Sequence, residues 1–429
     1  MSATATYTAS GGDTPSSPVT TISVERVFTG DYLKGSSIEE GDIIVTKITN
    51  GEATTLNWGE YTLQDGEGFT QAEEKKLVTV KLSDSSDVTT TFQVNVVDNY
   101  TSTYVFTSGV KEHKNNGIST PTGTAGTDGT YCYFGDFPQT IKENDNKVKI
   151  DMDKSEQHGY YTYYCGSDGN WYCKVTESAA SNSEAYKYSN GEQVAVATAN
   201  SEKWFKVEPI KWRVVTNAYS DGNSSPQNRS LLVAENALIG KVTFCNITST
   251  RTTGTGTIYP NNYLESRISA FLNGVGYNDG GNGGSSDFTD KGFLQTAFTS
   301  DAQNKIFEIN VDNSAATTGN SSSTFACNNS AAKIFLLSYS EVANKDYFLD
   351  DETRKRVPTD FGLATKCCYD DTNKATSWWL RSPGATTSNG TQALAVHKNG
   401  MIETTGNIYE KNVNDDYHGV VPALCVELN

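Results

Sequence analysis

A chain of 429 residues with a net charge of −17 and a pI of about 4.7 has no basic stripe, which excludes a nucleic-acid backbone as its partner. No apolar run is long enough to cross a bilayer. A hydrophobic fraction of 36%, with 23 Tyr and 17 Phe against only 3 Met, is enough for two or three domains with cores of rigid rings.

Residues 1–18 are rich in Ser, Thr, Gly and Pro and lack the basic and apolar regions of a signal peptide. They read as a flexible tail: either the protein is cytosolic or an export signal has been trimmed, and the tether-like composition favours the second, of a lipoprotein type. Residues 19–98 alternate apolar and polar side chains over 21–27, 42–49, 76–82 and 89–97. In the last run Phe92, Val94 and Val96 alternate with Gln93, Asn95 and Val97. Short strands at this spacing, punctuated by Asp and Gly, predict a small all-β sandwich. It resembles the bacterial immunoglobulin-like modules that act as stalks. Residues 99–128 read as a linker, because 117–129 is almost all small and polar.

A larger domain is expected over 129–429. Tyr131 to Gln139 (YCYFGDFPQ) reads as a strand followed by a Gly-Asp turn. Tyr160 to Val175 reads as a hairpin closed by Gly166-Ser167-Asp168-Gly169. Trp204 to Val215 predicts an aromatic-rich strand or strand pair, and Leu231 to Glu235 a short buried one. Leu264, Ile268, Phe271 and Leu272 fall on one helix face, with Asn262 as the N-cap. The following loop, Asn273 to Asp287, is rich in Gly, Asn and Asp but lacks EF-hand spacing. Asp290 to Ala297 predicts a second short helix. Lys333 to Leu337 reads as a buried strand, and Ser338-Tyr339-Ser340-Glu341 as a capping box that opens another helix. Strands and helices without βαβ alternation give an α+β fold class.

Eight cysteines permit disulfides, with Cys165 and Cys173 placed to bridge the hairpin, or are buried thiols; no Cys-x-x-Cys pair offers a zinc site. The four histidines fit no metalloprotease motif, and there is no nucleophile elbow, phosphate loop or dinucleotide fingerprint. Arg381, between Trp378-Trp379-Leu380 and Ser-Pro-Gly, reads first as a structural arginine hydrogen-bonded inside the fold. The last fifty-odd residues, 377–429, divide by composition. Trp378 to Gly384 and Gly419 to Val426 are apolar brackets, and residues 385–418 between them are polar.

Several motifs occur in a recognisable order: YCYFGDFPQ (131–139), YYCGSDGNWY (163–172), VEPIKWRV (207–214), IYPNNY (258–263), KIFLLS (333–338), WWLRSP (378–383) and GVVPALCV (419–426). Together they resemble the Treponema variable proteins of diversity-generating retroelements. The resemblance implies a C-type-lectin-like fold of the formylglycine-generating-enzyme type over 129–429. It also implies a non-catalytic surface lipoprotein whose C-terminal region, 377–429, is rewritten at adenines by an error-prone reverse transcriptase. The ligand-binding positions it implies are Thr391, Gln392, Leu394, His397, Lys398, Met401, Glu403, Thr404, Asn407, Tyr409, Glu410, Asn414, Asp415, Tyr417 and His418. Asn codons altered at adenine yield Tyr, His, Asp, Ser, Thr and Gly, but not Gln392, Lys398, Met401 or Glu403, which require other template codons. The partner is an unknown protein or glycan, with no cofactor or metal and a membrane contact only through an N-terminal lipid anchor. Two alternatives stand beside it. One is a copper oxidase of the same fold using Cys367, Cys368 or Cys425. The other is a structural adhesin without diversification.

Overall fold

Alternation becomes paired strands where the sequence is most regular. In Thr89–Val97 the side chains of Thr90, Phe92, Val94 and Val96 are buried, while Thr91, Gln93 and Asn95 face water. The computed structural model describes residues 3–5, 19–85, 87–114, 130–179, 186–195, 201–221, 229–253, 256–280, 285–319, 324–385, 390–404 and 407–428. Its contacts divide the chain into two units: Met1–Val105 with Glu143–Glu156 and Tyr164–Tyr172, and Phe106–Lys142 with Gln157–Tyr163 and Cys173–Asn429. The sequence placed its breaks at 98 and 128 instead.

The first unit holds two four-stranded sheets. In one, Ala3–Ala5, Thr20–Arg26, Ile43–Thr49 and Glu52–Thr55 are neighbours in that order; in the other, Tyr32–Leu33, Thr89–Val97, Glu73–Leu82 and Tyr61–Gln64. Residues 3–5, inside the stretch read as a tail, pair antiparallel with Ile22 to Val24. Both sheets contribute to one core that includes Ile22, Phe28, Tyr32, Val45, Val78, Val80 and Val94. Asp42 is buried with it. Its carboxylate accepts hydrogen bonds from the Tyr32 hydroxyl (3.0 Å), the Glu39 amide (2.9 Å) and the Lys149 ammonium (2.8 Å). Burial, then the Asp42 charge, pushes the Tyr32 hydroxyl far above the usual phenol range.

In the second unit the main sheet runs, neighbour to neighbour, through Lys111–Lys114, Thr130–Ile141, Glu202–Thr216, Ser230–Ala234, Ala423–Val426 and Ile334–Phe335. Its first strand lies within the stretch read as a linker; residues 115–128 of that stretch lie outside the described residues. The expected Gly-Asp turn at 135–136 is a bulge inside one twelve-residue strand. Gly135 has φ +70°, and a Cβ there would lie 2.4 Å from the Phe298 ring, so only glycine fits. Asp136 is turned inward and accepts from the Thr107 amide and hydroxyl. Aromatic rings fill the core: Phe137 packs against Phe293 (5.3 Å) and Phe361 (5.5 Å), and the Trp212 indole donates to the Phe134 carbonyl (2.7 Å). Such ring pairs contribute about 0.5–1.5 kcal/mol each beyond their buried area. The hairpin forms as Tyr161–Gly166 and Trp171–Thr176, with Gly169 at φ +76° in its turn.

The expected α+β fold class is corrected here. Among the described residues strands make up 42% and helices 9%, in six short helices, which fits an all-β fold better. The helical patterns in the sequence are real but brief. The longest, Arg267–Asn273, starts at Ser266 rather than Asn262 and is stopped by Gly274 at φ +66°, leaving Leu264 outside it. Phe293–Ala297 and Tyr339–Ala343 have five residues each, the latter opened by the expected Ser338–Glu341 capping box. Helices of one or two turns do not persist alone; they are held between strands and form no layer of their own.

Candidate functional site

The apolar brackets of the C-terminal region meet at one point, where Trp378 bridges Gly419, while Ala423–Val426 runs in the main sheet. Trp378–Pro383 pairs antiparallel with Gln392–Val396, which pairs with Glu410–Asn412. The Trp379 amide donates to the Gly419 carbonyl (3.2 Å) and the Gly419 amide to Ser377 (2.8 Å), so the chain enters and leaves the region at one place. Trp378 and Trp379 have no exposed surface. The Trp378 indole donates to the Arg354 carbonyl (3.1 Å), and Trp379 packs against Phe244 (5.8 Å) and His418 (4.5 Å). Arg381, 2% exposed, is the structural arginine its context suggested. Its guanidinium donates to Glu341 (2.5 Å) and to the carbonyls of Leu336 (2.8 Å) and Asp312 (3.1 Å).

The implied binding positions separate sharply on this frame. Leu394 lies in a strand whose residues 393–396 are buried on both faces, so it belongs to the core and not to a binding surface. His418 is likewise fully buried. Glu403 and Asn414 are exposed, and Thr391, Gln392, His397, Lys398, Met401, Tyr409, Glu410, Asp415 and Tyr417 are half-buried. The side chains of Thr404 and Asn407 lie outside the described residues. The accessible positions therefore sit in turns and on the edge strand, at the ends of buried strands rather than along them.

These groups are held by specific partners. The His397 imidazole bonds the Asn399 side chain (2.7 Å) and meets Tyr409 edge-on (4.9 Å), with the Lys411 ammonium 4.3 Å over the Tyr409 ring. Lys398 pairs with Asp370 at 2.6 Å, which holds that carboxyl down to about 2. Glu403 accepts from the Tyr339 hydroxyl (2.5 Å), Glu410 from the Ala385 amide (2.8 Å), and Asp415 from the Tyr417 hydroxyl (3.1 Å). Burial, then Asp415, pushes the Tyr417 hydroxyl up to about 12, so it stays a neutral donor at neutral pH. The result is a set of aromatic faces with polar tips, suited to reversible contact.

Beneath it, Ser377, His418 and Asp415 are grouped as in a nucleophilic triad. Ser377 Oγ is 2.6 Å from His418 Nδ1, Asp415 is 3.7 Å from Nε2, and Cys368 Sγ is 3.2 Å from the serine. The serine is 3% exposed and the imidazole has no exposed surface, so the group is an internal tie and not a substrate site. Burial lowers the His418 pKa below its ordinary 6.5, against the opposing pull of Asp415. The unfolded chain then binds a proton below pH 6.5 that the folded chain refuses. Stability is full above that pH and falls as pH drops below it, by up to about 1.4 kcal/mol per pH unit from this group. In urea titrations from about pH 7.5 to about 5.5, His418→Asn is expected to flatten the pH dependence; an unchanged slope would refute the assignment.

All eight cysteines are free thiols, Cys165 and Cys173 included. Burial pushes the Cys367 and Cys425 thiols up, the opposite of what a thiolate ligand for copper needs. Among the described residues no three His, Cys, Asp or Glu side chains are grouped to hold a metal ion. Sequence reasoning missed Tyr339, Asp370 and Lys411 as parts of this surface. The first two come from distant segments, and no local pattern marks them.

Residues 227–428 match a family model described as a domain of unknown function, DUF6273. The match opens just before Ser230–Ala234 and closes just after Ala423–Val426, which are hydrogen-bonded neighbours, and it takes in the whole C-terminal region. No curated protein and no solved structure gives a match.

Proposed function

We propose that residues 391–417 form a ligand-recognition surface on a non-catalytic, cell-surface protein, and that retroelement-directed mutagenesis varies it. One observation carries the reading: half-buried Tyr, His, Lys and Asp side chains cluster in turns and beside the edge strand Glu410–Asn412, next to Trp378–Pro383 and residues 393–396, whose side chains are buried. Such a frame tolerates changes at the tips without loss of the core. Tyr409 and Tyr417 supply contact area at low entropic cost, and His397, Lys398, Glu403 and Asn414 supply adjustable polar contacts to a protein or glycan. Leu394 and His418 are excluded from the set by their burial.

The test is genetic. The coding region for 377–429 is sequenced across many isolates of the source population, together with its flanking DNA. The reading expects substitutions at positions such as 391, 398, 403, 409, 414 and 417 and none at 378–380, 393–396 and 420–426. It also expects a near-copy of the region beside a reverse-transcriptase gene, with mismatches confined to adenines of that copy. An invariant region with no such copy removes the diversification claim.

A further inference from the structure

A second feature of the larger unit belongs to none of this. A cavity of about 270 Å³ is walled by Tyr160 and Tyr161 of the hairpin, Phe271 of the seven-residue helix, and Phe288. Among the described residues Arg267 and Lys241 are its two cations and no Asp or Glu lines it, although the chain has 51 acids against 34 bases. The Arg267 guanidinium lies 5.2 Å over the Phe288 ring and has no hydrogen-bonded or ionic partner among the described residues. Burial lowers its pKa, as expected for a desolvated cation without a counter-ion. A half-buried guanidinium facing aromatic walls is costly until an anion completes it.

The other groups are fixed in place. Tyr160 is 57% exposed at the rim, and its amide donates to the Thr296 hydroxyl (3.0 Å). Lys241 takes a left-handed backbone (φ +57°); its amide donates to the Asp416 carbonyl (2.8 Å) and its ammonium to the Ser178 hydroxyl (3.2 Å). We propose that this cavity binds a small carboxylate carried on a ring. Arg267 receives the carboxylate through its planar fork, Lys241 adds a second charge from the rim, and the aromatic walls cover the ring. A planar fork matches a carboxylate, and four rings around a space of this size match one flat or alicyclic body. That chemistry has two sources, a free aryl acid or the terminal acidic sugar of a glycan. None of its described lining residues belongs to 391–417, although the Lys241 amide bonds the Asp416 carbonyl, and the case for the cavity does not depend on that reading.

The test is calorimetric titration of the full chain with benzoate and with glucuronate, each beside its neutral counterpart (benzamide, glucose), and with inorganic phosphate. At least one carboxylate is expected to bind, with its neutral counterpart at least about tenfold weaker. Benzoate alone identifies a free aryl acid, and glucuronate alone a sugar end. Arg267→Gln is expected to erase the preference for the acid, and Lys241→Gln to weaken binding several-fold and increase its resistance to salt. Neutral counterparts that bind equally well, phosphate binding tighter than both acids, or no carboxylate binding up to about 10 mM would overturn the proposal. Lys241 is exposed, so its variant keeps the test decisive if Arg267→Gln does not fold. Unchanged affinity in Lys241→Gln would also count against it.

Discussion

Replacing Glu341 by Ala is expected to cost about 3–5 kcal/mol of folding free energy, because it strands a buried charge. Arg381 keeps its bonds to the Leu336 and Asp312 carbonyls but loses its carboxylate partner in a place where its side chain is 2% exposed. The same carboxylate accepts from the Tyr219 hydroxyl (2.7 Å) and, in the capping box, from the Ser338 amide (2.7 Å). One truncation therefore frees a cation, a phenol and a helix start together. Although burial raises the Glu341 pKa, Arg381 outweighs it, and the net shift is downward. The pair is thus ionised at neutral pH, and its stabilisation is lost only as pH falls through that depressed value. Urea unfolding at neutral pH measures the loss. The double change Glu341→Leu with Arg381→Met is expected to be milder than Glu341→Ala alone, since no orphan charge remains. A single-variant loss below about 1 kcal/mol would show the pair to be solvent-accessible.

Trp379→Ala is expected to cost a similar amount, about 3–5 kcal/mol, through the cavity left beside Phe244 and His418. Its indole N–H has no partner among the described residues, so the loss is almost wholly packing. His418→Ala belongs with it, because it removes the ring that Trp379 packs on and the 2.6 Å bond of the Ser377 hydroxyl, leaving it the longer contact to Cys368 Sγ. By contrast, Lys398→Ala and Asn414→Ala are expected to change stability by less than about 0.5 kcal/mol, and Tyr417→Ala by about 1. Thermal unfolding of the five variants side by side separates the groups. Tyr417→Ala as damaging as Trp379→Ala would erase the distinction between frame and surface.

Parts of this were legible before any coordinates. The Phe92, Val94, Val96 alternation, the Gly166–Gly169 turn and the Ser338–Glu341 capping box are local signals set by side-chain period and turn chemistry, and each appears where the sequence puts it. The brackets around Trp379 and Val420 were legible as apolar runs. What failed was long-range. Leu394 sits in a polar-looking region, but a strand covered on both faces needs only Ala, Leu, Ala and Val to be core. His418 reads as a surface group because its partner, Ser377, lies 41 residues earlier. The helical periods around 264–272, 290–297 and 339–343 suggest an α+β class, yet each helix closes after one or two turns. The cavity of Tyr160, Lys241, Arg267 and Phe288 is assembled from four separated segments, so no spacing rule reveals it.

The central claim is that residues 377–428 consist of a frame that must be kept and a surface free to change. A saturation mutational scan of this region in the full chain, sorted by protease resistance, tests it most directly. The account expects intolerance at Trp378, Trp379, Arg381, Leu394, His418, Gly419 and Val420 to Val426, and broad tolerance at Thr391, Lys398, Glu403, Asn414 and Tyr417. Equal intolerance at both sets would contradict it, as would tolerance at Leu394 and His418.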